Sequence, residues 1–224
     1  MSFNNFLELM DNLLGKDGCP WDREQTHESL RPYLLEECYE TIEAINNNDM
    51  ASLREELGDV LLQVVFHSKL AEKAGAFTID DVISEVSHKL VSRHTHVFGT
   101  DTAANADDVI RVWEANKQKE RMHSPVQAMN AVPKAFPALI RASKVIKRAG
   151  NNKLTGHELF ENIEAELKRL QEPGADYFEI YGKILFQMVN LSFILKINAE
   201  LSLTNAVEGF INTFSAETPA QSGS

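Results

Sequence analysis

The sequence of 224 residues has few cysteines and no long apolar run. Its two cysteines, Cys19 and Cys38, are too few for a disulfide framework. The first fifteen residues contain neither a basic stretch nor a continuous apolar segment, so no signal peptide is expected. No window approaches the roughly 18 apolar residues of a membrane span. The sequence therefore predicts a cytoplasmic protein with reduced thiols and no membrane partner.

Basic side chains are also scarce. The chain has 22 Lys and Arg against 33 Asp and Glu, which gives a formal net charge of −11. A protein that binds the nucleic-acid backbone needs a basic face to displace counterions, so no nucleic-acid partner is expected. An acidic protein that binds a small polyphosphate needs a metal ion or a local group of cations instead.

Strand-like alternation is nearly absent, and apolar residues recur at intervals of three and four residues. This periodicity predicts an all-α protein. In the first half, helices are predicted over residues 3–14, 28–45, 50–74, 79–93 and 106–120. Three prolines then mark a connector, which leads to a basic helix ending near residue 149. The last predicted helices span residues 157–171, 176–197 and 202–214.

An internal repeat relates the two halves of the chain. The segment EELGDVLLQVV at residues 55–65 recurs as EIYGKILFQMV at residues 179–189, with the glycine, the glutamine and the apolar frame retained. We therefore predict a catalytic unit over residues 1–125 and a connector helix over 126–150. A degenerate copy of the first unit is predicted over 151–214, and a disordered tail over 215–224.

Acidic residues form a pattern on two consecutive predicted helices. Glu36, Glu37 and Glu40 lie on the first helix, and Glu56 and Asp59 lie on the second. Residues three and four apart share a helix face, so two such pairs on adjacent antiparallel helices would gather four or five carboxylates around one point. Hard divalent cations such as Mg²⁺ prefer this oxygen-rich environment.

The two helices support a metal site unequally. On the first helix the acids lie largely opposite the apolar face, which is typical of a solvated surface. The second helix is apolar nearly all round over residues 57–70, and its polar groups collect in one stripe of Glu56, Asp59, Gln63 and His67. A lone buried charge is costly, and basic residues that could pair with these acids are scarce nearby. Metal binding is therefore the favoured interpretation of Glu56 and Asp59.

The Glu-Glu-x-x-Glu and Glu-x-x-Asp pattern, on helices separated by a short turn, resembles the MazG family of nucleoside triphosphate pyrophosphohydrolases. The resemblance extends to GCPWD at residues 18–22, to residues 89–98, and to Trp113-Glu114 with Lys117. It covers about residues 1–150 closely and the rest weakly. It implies a four-helix catalytic unit, assembled as a homodimer, that cleaves a nucleoside triphosphate between the α- and β-phosphates.

The resemblance also implies roles for individual residues. Mg²⁺, with Mn²⁺ as a substitute, would be held by Glu37, Glu40, Glu56 and Asp59. The catalytic residues would be Glu36 and Glu37, with Glu36 as a further ligand or as the base for the attacking water. The nucleotide would be contacted by Lys89, Arg93, Trp113 and Lys117, although Trp113 equally suits a core or interface position. A bound cation explains how a protein of net charge −11 binds a polyanion.

Other functions are compatible with parts of the sequence. Glu24-x-x-His27 and Glu85-x-x-His88 are ingredients of a di-iron carboxylate site, although the other two helices carry more acids than such a site uses. His94 and His96 are a candidate metal-binding pair. A helical scaffold derived from a MazG enzyme would need no site at all. Related pyrophosphohydrolases specific for dUTP, dCTP or phosphoribosyl-ATP share the same acids.

The second copy has lost most of the candidate site residues. With the alignment made around Glu164, the counterparts of Glu37, Glu40, Glu56, Asp59, Lys89 and Arg93 are Ala165, Lys168, Ile180, Lys183, Gly209 and Thr213. A lysine in place of a metal ligand repels a cation. We therefore expect the first unit to carry the catalysis and the second to supply a dimer or scaffold surface.

Overall fold

The computed structural model describes residues 2–119, 124–150 and 154–217. The chain divides into two compact units, one up to residue 120 and one from residue 121. Every regular element in the described ranges is an α-helix, so the predicted all-α class is confirmed. In these ranges no single helix is long and apolar enough to cross a membrane. The segments Tyr177–Ile194 and Ala199–Ser215 meet that criterion only together, as a pair bent by 106°.

The described part of the first unit contains seven helices. They are α1 (Phe3–Leu14), α2 (Pro20–Glu24), α3 (His27–Asn46), α4 (Met50–Lys73), α5 (Ile79–Arg93), α6 (Thr95–Phe98) and α7 (Ala106–Lys119). The five longer ones follow the predicted spans closely. The short helices α2 and α6 are additional, because five and four residues are too few to carry a helical period.

The α3–α4 hairpin is fixed by its end signals. Thr26 begins α3 with a capping box, in which its side chain accepts a hydrogen bond from the Ser29 amide. After α3 ends, Asn48 adopts the left-handed conformation with φ of 53°, which asparagine tolerates better than most residues. Asp49 then caps α4 by accepting from the amides of Ala51 and Ser52. This tight turn sets the two helices side by side in antiparallel order.

The core of the first unit lies around the second half of α4. Buried side chains from four helices meet there, namely Met10, Leu30, Val65, Phe66 and Ile79. Helix α4 packs on α1, α3 and α5, and α5 in turn packs on α6 and α7. Helix α5 is therefore the element through which α4 is connected to α7.

The expectation that α4 is apolar and buried on most sides is wrong for one face of its residues 57–64. Leu57, Leu61 and Val64 are 52%, 41% and 38% exposed in this chain. Burial depends on which neighbours cover a face, and periodicity within one helix does not specify those neighbours. Residues 57–64 of α4 thus present an apolar surface close to the acids Glu56 and Asp59.

The described part of the second unit contains five helices. They are α8 (Pro125–Asn130), α9 (Ala138–Arg148), α10 (Gly156–Arg169), α11 (Tyr177–Ile194) and α12 (Ala199–Glu217). Helix α9 packs on α8, α11 and α12, and α10 packs on α11 around buried Leu159, Ile163 and Leu191. Of the tail predicted over 215–224, residues 215–217 belong to α12, and 218–224 lie outside the described residues.

Candidate active site

Three carboxylates converge in the α3–α4 hairpin. One oxygen from each of Glu37, Glu56 and Asp59 lies within 4.8 Å of the other two. Glu37 comes from α3 and the other two from α4, so the antiparallel hairpin is what brings them together. All three side chains are half-buried. Oxygen atoms at these separations can be shared by a divalent cation with little adjustment.

The electrostatics of this carboxylate cluster, Glu37, Glu56 and Asp59, fit a cation. Burial raises the pKa of Glu37, and the negative charges of Asp59, Glu40, Glu56 and Glu36 raise it further. Burial likewise raises the pKa of Glu56, and the charges of Glu40, Glu55 and Asp59, followed by a hydrogen bond with Glu40, raise it further. Burial is the largest cause of both shifts, and repulsion between the ionised carboxylates adds to it. A divalent cation among them would remove this repulsion, and an all-oxygen donor set suits Mg²⁺ or Mn²⁺.

The two remaining predicted acids flank the cluster. Glu40 is exposed, but it adjoins Glu56 closely enough to share a hydrogen bond. The two also line a shallow polar depression that reaches towards the α3–α4 turn, where Glu43 and Asp49 lie. Glu36 is exposed on the preceding position of α3, and its charge still acts on Glu37. The structure thus places Glu40 beside the cluster and Glu36 at its rim.

The predicted nucleotide-binding residues form a second group on α5 and α7. The guanidinium carbon of Arg93 lies 5.5 Å from the ring centroid of Trp113, and the Lys117 Nζ lies 4.4 Å from it. Both are cation–π contacts, which favour a cation over the ring face. Lys89, one turn earlier on α5, is half-exposed and pairs with Glu85 at 2.7 Å. Three of the four residues are therefore in one group, with Lys89 close to it on the same helix.

The structure adds three residues that the sequence analysis did not identify. Asn116 is 7% exposed, and its Nδ2 donates to the Thr95 Oγ1 at 2.7 Å. The Thr95 hydroxyl donates in turn to Asp101 Oδ2 at 2.5 Å. The available signal was an asparagine one turn after Trp113 on an amphipathic helix.

The alternative metal sites are not brought together. Among the described residues, the carboxylate cluster is the one place where three or more potential ligands meet. His94 and His96 have ring centroids 5.6 Å apart, and the Nδ1 of His94 lies 2.7 Å from the Leu90 carbonyl oxygen. Of the di-iron candidates, Glu85 is paired with Lys89.

The second unit repeats the hairpin with different chemistry. Thr155 caps α10 as Thr26 caps α3, and Leu159 and Leu30, each four residues later, are almost fully buried. When the two hairpins are aligned on these capping threonines, the second one is shifted by one residue from the alignment made on the sequence. It makes Glu166 and Arg169 the counterparts of Glu37 and Glu40.

Those counterparts cannot rebuild the cluster. Glu166 and Arg169 form an ion pair of 2.8 Å, so the one retained acid is neutralised by its neighbour. On α11, Ile180 stands at the position of Glu56 and is 3% exposed. Lys183 stands at the position of Asp59 and is ion-paired with Glu179. Two ion pairs and a buried apolar side chain stand in place of the carboxylate cluster.

Comparison with known proteins relates the chain to one family. The MazG nucleotide pyrophosphohydrolase domain matches residues 25–98, which include all five acids discussed above. The nucleoside triphosphate pyrophosphohydrolase/pyrophosphatase MazG of Thermotoga maritima is 41% identical over 217 residues, covering 95% of this chain and 84% of that protein. The nucleoside triphosphate pyrophosphohydrolase of Escherichia coli K12 is 37% identical over 223 residues, covering 94% and 85%. A solved mazG-related protein from Thermotoga maritima is 26% identical and covers 51% of this chain and 98% of its own, with a TM-score of 0.45.

Proposed function

Because this chain belongs to the MazG nucleotide pyrophosphohydrolase family, we propose that it hydrolyses nucleoside triphosphates to a nucleoside monophosphate and pyrophosphate. We propose Mg²⁺ as its cofactor, with Mn²⁺ as a substitute. The observation that carries the proposal is the convergence of Glu37, Glu56 and Asp59 within 4.8 Å. Their mutual repulsion makes this cluster costly to maintain without a cation, so it is better explained as a binding site than as a surface feature.

The acids have separate tasks in this proposal. Glu37, Glu56 and Asp59 hold the ion, with Glu40 as a fourth ligand beside Glu56. A bound Mg²⁺ supplies positive charge to the phosphate oxygens and lowers the pKa of a water molecule at the site. Glu36, exposed at the rim, accepts the proton of the water that attacks the α-phosphorus. The bond from that phosphorus to the bridging oxygen breaks, and the oxygen leaves with pyrophosphate.

The cations of α5 and α7 bind the nucleotide in this proposal. Lys89 lies in an exposed ion pair with Glu85, and such pairs are weak because solvent screens them. Phosphate oxygens can therefore replace Glu85 as its partner. Arg93 and Lys117 offset the charge that develops on the departing pyrophosphate, while Trp113, which both cations contact, offers a surface for the nucleobase.

The apolar surface of α4 supports a homodimer. Leu57, Leu61 and Val64 are exposed in the first unit, and the repeat places similarly exposed Tyr181, Leu185 and Met188 at the same positions of α11. The second unit has thus kept this apolar surface while losing the acids. We propose that a second copy of the chain covers these surfaces and that the second unit is not catalytic.

The test is pyrophosphate release by the full chain. The four ribonucleoside and four deoxyribonucleoside triphosphates, together with dUTP and phosphoribosyl-ATP, are each incubated with Mg²⁺, with Mn²⁺ or with a chelator. We expect metal-dependent pyrophosphate release that falls by on the order of 100-fold or more in Glu56→Gln, with the helical circular dichroism unchanged. Glu43→Gln is the matched control, because Glu43 lines the neighbouring depression but lies outside the cluster.

Two outcomes would contradict the proposal. If the folded parent chain releases no pyrophosphate from any of these nucleotides, the scaffold interpretation is favoured. If Glu56→Gln is as active as Glu43→Gln, the cluster is not the catalytic site. A strong preference for dUTP, dCTP or phosphoribosyl-ATP in the same screen would assign the chain to one of those narrower activities.

A further inference from the structure

The corner between α5 and α6 determines where Arg93 lies. Arg93 is the last residue of α5 and Thr95 is the first of α6, with His94 between them at φ −103° and ψ 51°. Thr95 is thus two residues along the chain from Arg93, which contacts Trp113. Asn116 is three residues from Trp113 and, at that spacing, on the same side of α7.

Asn116, Thr95 and Asp101 form a chain of hydrogen bonds across this corner. Asp101 is an acceptor when ionised, so the single proton of the Thr95 hydroxyl is committed to it. The hydroxyl oxygen must then accept from Asn116, which fixes the Asn116 amide with its Nδ2 towards Thr95. These two hydrogen bonds join α7, the start of α6 and the loop that contains Asp101. Each bond has a defined direction.

The hydrogen bonds of Asn116, Thr95 and Asp101 contribute more than the contact between Arg93 and Trp113 to the arrangement of this corner. The cation–π contact of Arg93 tolerates a range of positions over the ring, and its 5.5 Å distance is long. The Asn116 bond is short and part-buried, and Asn116 itself is buried, so an unpaired amide there would be penalised strongly. The hydrogen bonds therefore hold α5 and α7 in the register at which Arg93 meets Trp113.

We propose that Asn116, acting through Thr95 and Asp101, is a positioning residue that aligns Arg93 and Trp113 to receive the nucleoside triphosphate. The inference rests on the proposed function, because it assigns Arg93 and Trp113 to that substrate. A buried asparagine adds little stability compared with an apolar residue of similar size. Its contribution here is to select one arrangement of the corner.

The test uses two variants that remove these hydrogen bonds and one that keeps them. Asn116→Leu fills the same space without a donor, and Thr95→Val replaces the hydroxyl by a methyl group of the same shape. Thr95→Ser retains the hydroxyl and is expected to behave as the parent. Ser68→Ala is the control for losing a buried hydroxyl bond elsewhere, since the Ser68 Oγ donates to the Val64 carbonyl on α4.

Steady-state kinetics provide the first measurement. We expect KM for the triphosphate to rise by about tenfold in Asn116→Leu and Thr95→Val, with kcat changed by less than about threefold and the Mg²⁺ dependence unchanged. Thr95→Ser and Ser68→Ala should keep the parent KM. An unchanged KM in the first two variants, or an equal rise in Ser68→Ala, would overturn the positioning role.

A second measurement does not depend on turnover. In a Trp21→Phe background the indole N–H signal of Trp113 is the only tryptophan resonance, since the chain has two tryptophans. We expect this signal to shift and broaden in Asn116→Leu and Thr95→Val, and its response to ATP with Mg²⁺ to weaken. A signal identical to that of the parent would refute the inference. An inactive parent with a displaced Trp113 signal in the variants would instead count against the proposed function alone.

Discussion

His27 and His67 meet edge to edge through one hydrogen bond. Their Nδ1 atoms lie 2.8 Å apart, their ring centroids 5.1 Å apart, and their planes differ by 3°. A centroid distance of 5.1 Å is the longest that a nitrogen separation of 2.8 Å allows. Both nitrogens therefore lie on the line that joins the two ring centroids. Because the ring planes are also nearly parallel, the two rings are coplanar. One histidine must therefore donate and the other accept, and a single proton is held between them. The buried Nε2 of His67 has no hydrogen-bond partner among the residues that the structure describes. This favours His67 as the donor, because a buried unpaired acceptor is better tolerated than a donor.

This pair predicts a pH dependence of stability. Burial, followed by the charge of His27, lowers the pKa of His67 below its ordinary value of 6.5. Below that value the unfolded chain binds a proton that the folded chain does not, so the free energy of unfolding decreases as the pH falls towards the lowered pKa. We expect the Tm of the parent to drop more steeply between about pH 7 and pH 5 than that of His67→Gln.

The control is His88→Gln, which replaces an exposed histidine on α5. It should follow the parent curve over the whole range. Parallel curves for the parent and His67→Gln would show that protonation of His67 is not coupled to unfolding.

The raised pKa of Glu37 gives a prediction of the opposite sign. Its carboxylate is destabilised in the folded state by burial and by neighbouring acids, so at neutral pH the metal-free protein is less stable than one with a neutral side chain there. We expect Glu37→Gln to raise the Tm in a chelator by about 2–4 °C. In a chelator, the stability of the parent relative to Glu37→Gln should increase as the pH falls through the raised pKa of Glu37.

Addition of Mg²⁺ should reverse the order of the two proteins. The ion stabilises the parent by binding the folded state, whereas Glu37→Gln has lost one of the three clustered ligands. The measurement is the Tm by circular dichroism with and without Mg²⁺, with Glu43→Gln as the control. A Tm of the parent that is insensitive to Mg²⁺ would argue against a metal site in the hairpin.

The Arg93–Trp113 contact predicts that lysine cannot replace arginine. Arg93→Lys keeps the charge but loses the planar guanidinium that lies against the ring at 5.5 Å. We expect KM for the triphosphate to rise by about threefold to tenfold with a smaller effect on kcat. Arg111→Lys, on the same helix as Trp113 but in an exposed ion pair with Asp108, should behave as the parent. Equal kinetics for both variants would remove Arg93 from the proposed substrate contacts.

The sequence predicts those parts of the structure that depend on neighbours along the chain. The α3–α4 hairpin follows from helical periodicity and from the caps Thr26 and Asp49, so the meeting of Glu37 with Glu56 and Asp59 could be anticipated. The exposure of Leu57 could not, because it depends on what packs against α4.

Contacts between residues that are distant in the sequence could not be predicted either. Thr95 and Asn116 are 21 residues apart, and His27 and His67 are 40 apart. Neither pair lies on one helix, so each contact depends on how two helices pack. The sequence alignment of the second hairpin with the first is wrong by one residue for a related reason. The acids on which it was aligned have diverged, whereas the capping threonine, Thr155, has not.

The last prediction concerns the second unit. Ile180 is 3% exposed at the position of Glu56, and the nearby cations Arg169 and Lys183 are already paired with Glu166 and Glu179. A carboxylate at position 180 would therefore be buried in place of an apolar side chain. We expect Ile180→Glu to destabilise the protein by about 3 kcal/mol or more, without adding activity. Lys183→Ala, which removes an exposed ion pair with Glu179, should leave both stability and pyrophosphate release close to those of the parent. Urea unfolding and the release assay distinguish the two variants. A stable Ile180→Glu protein with increased turnover would mean that the second hairpin still holds a working site, and the assignment of catalysis to the first unit would then fail.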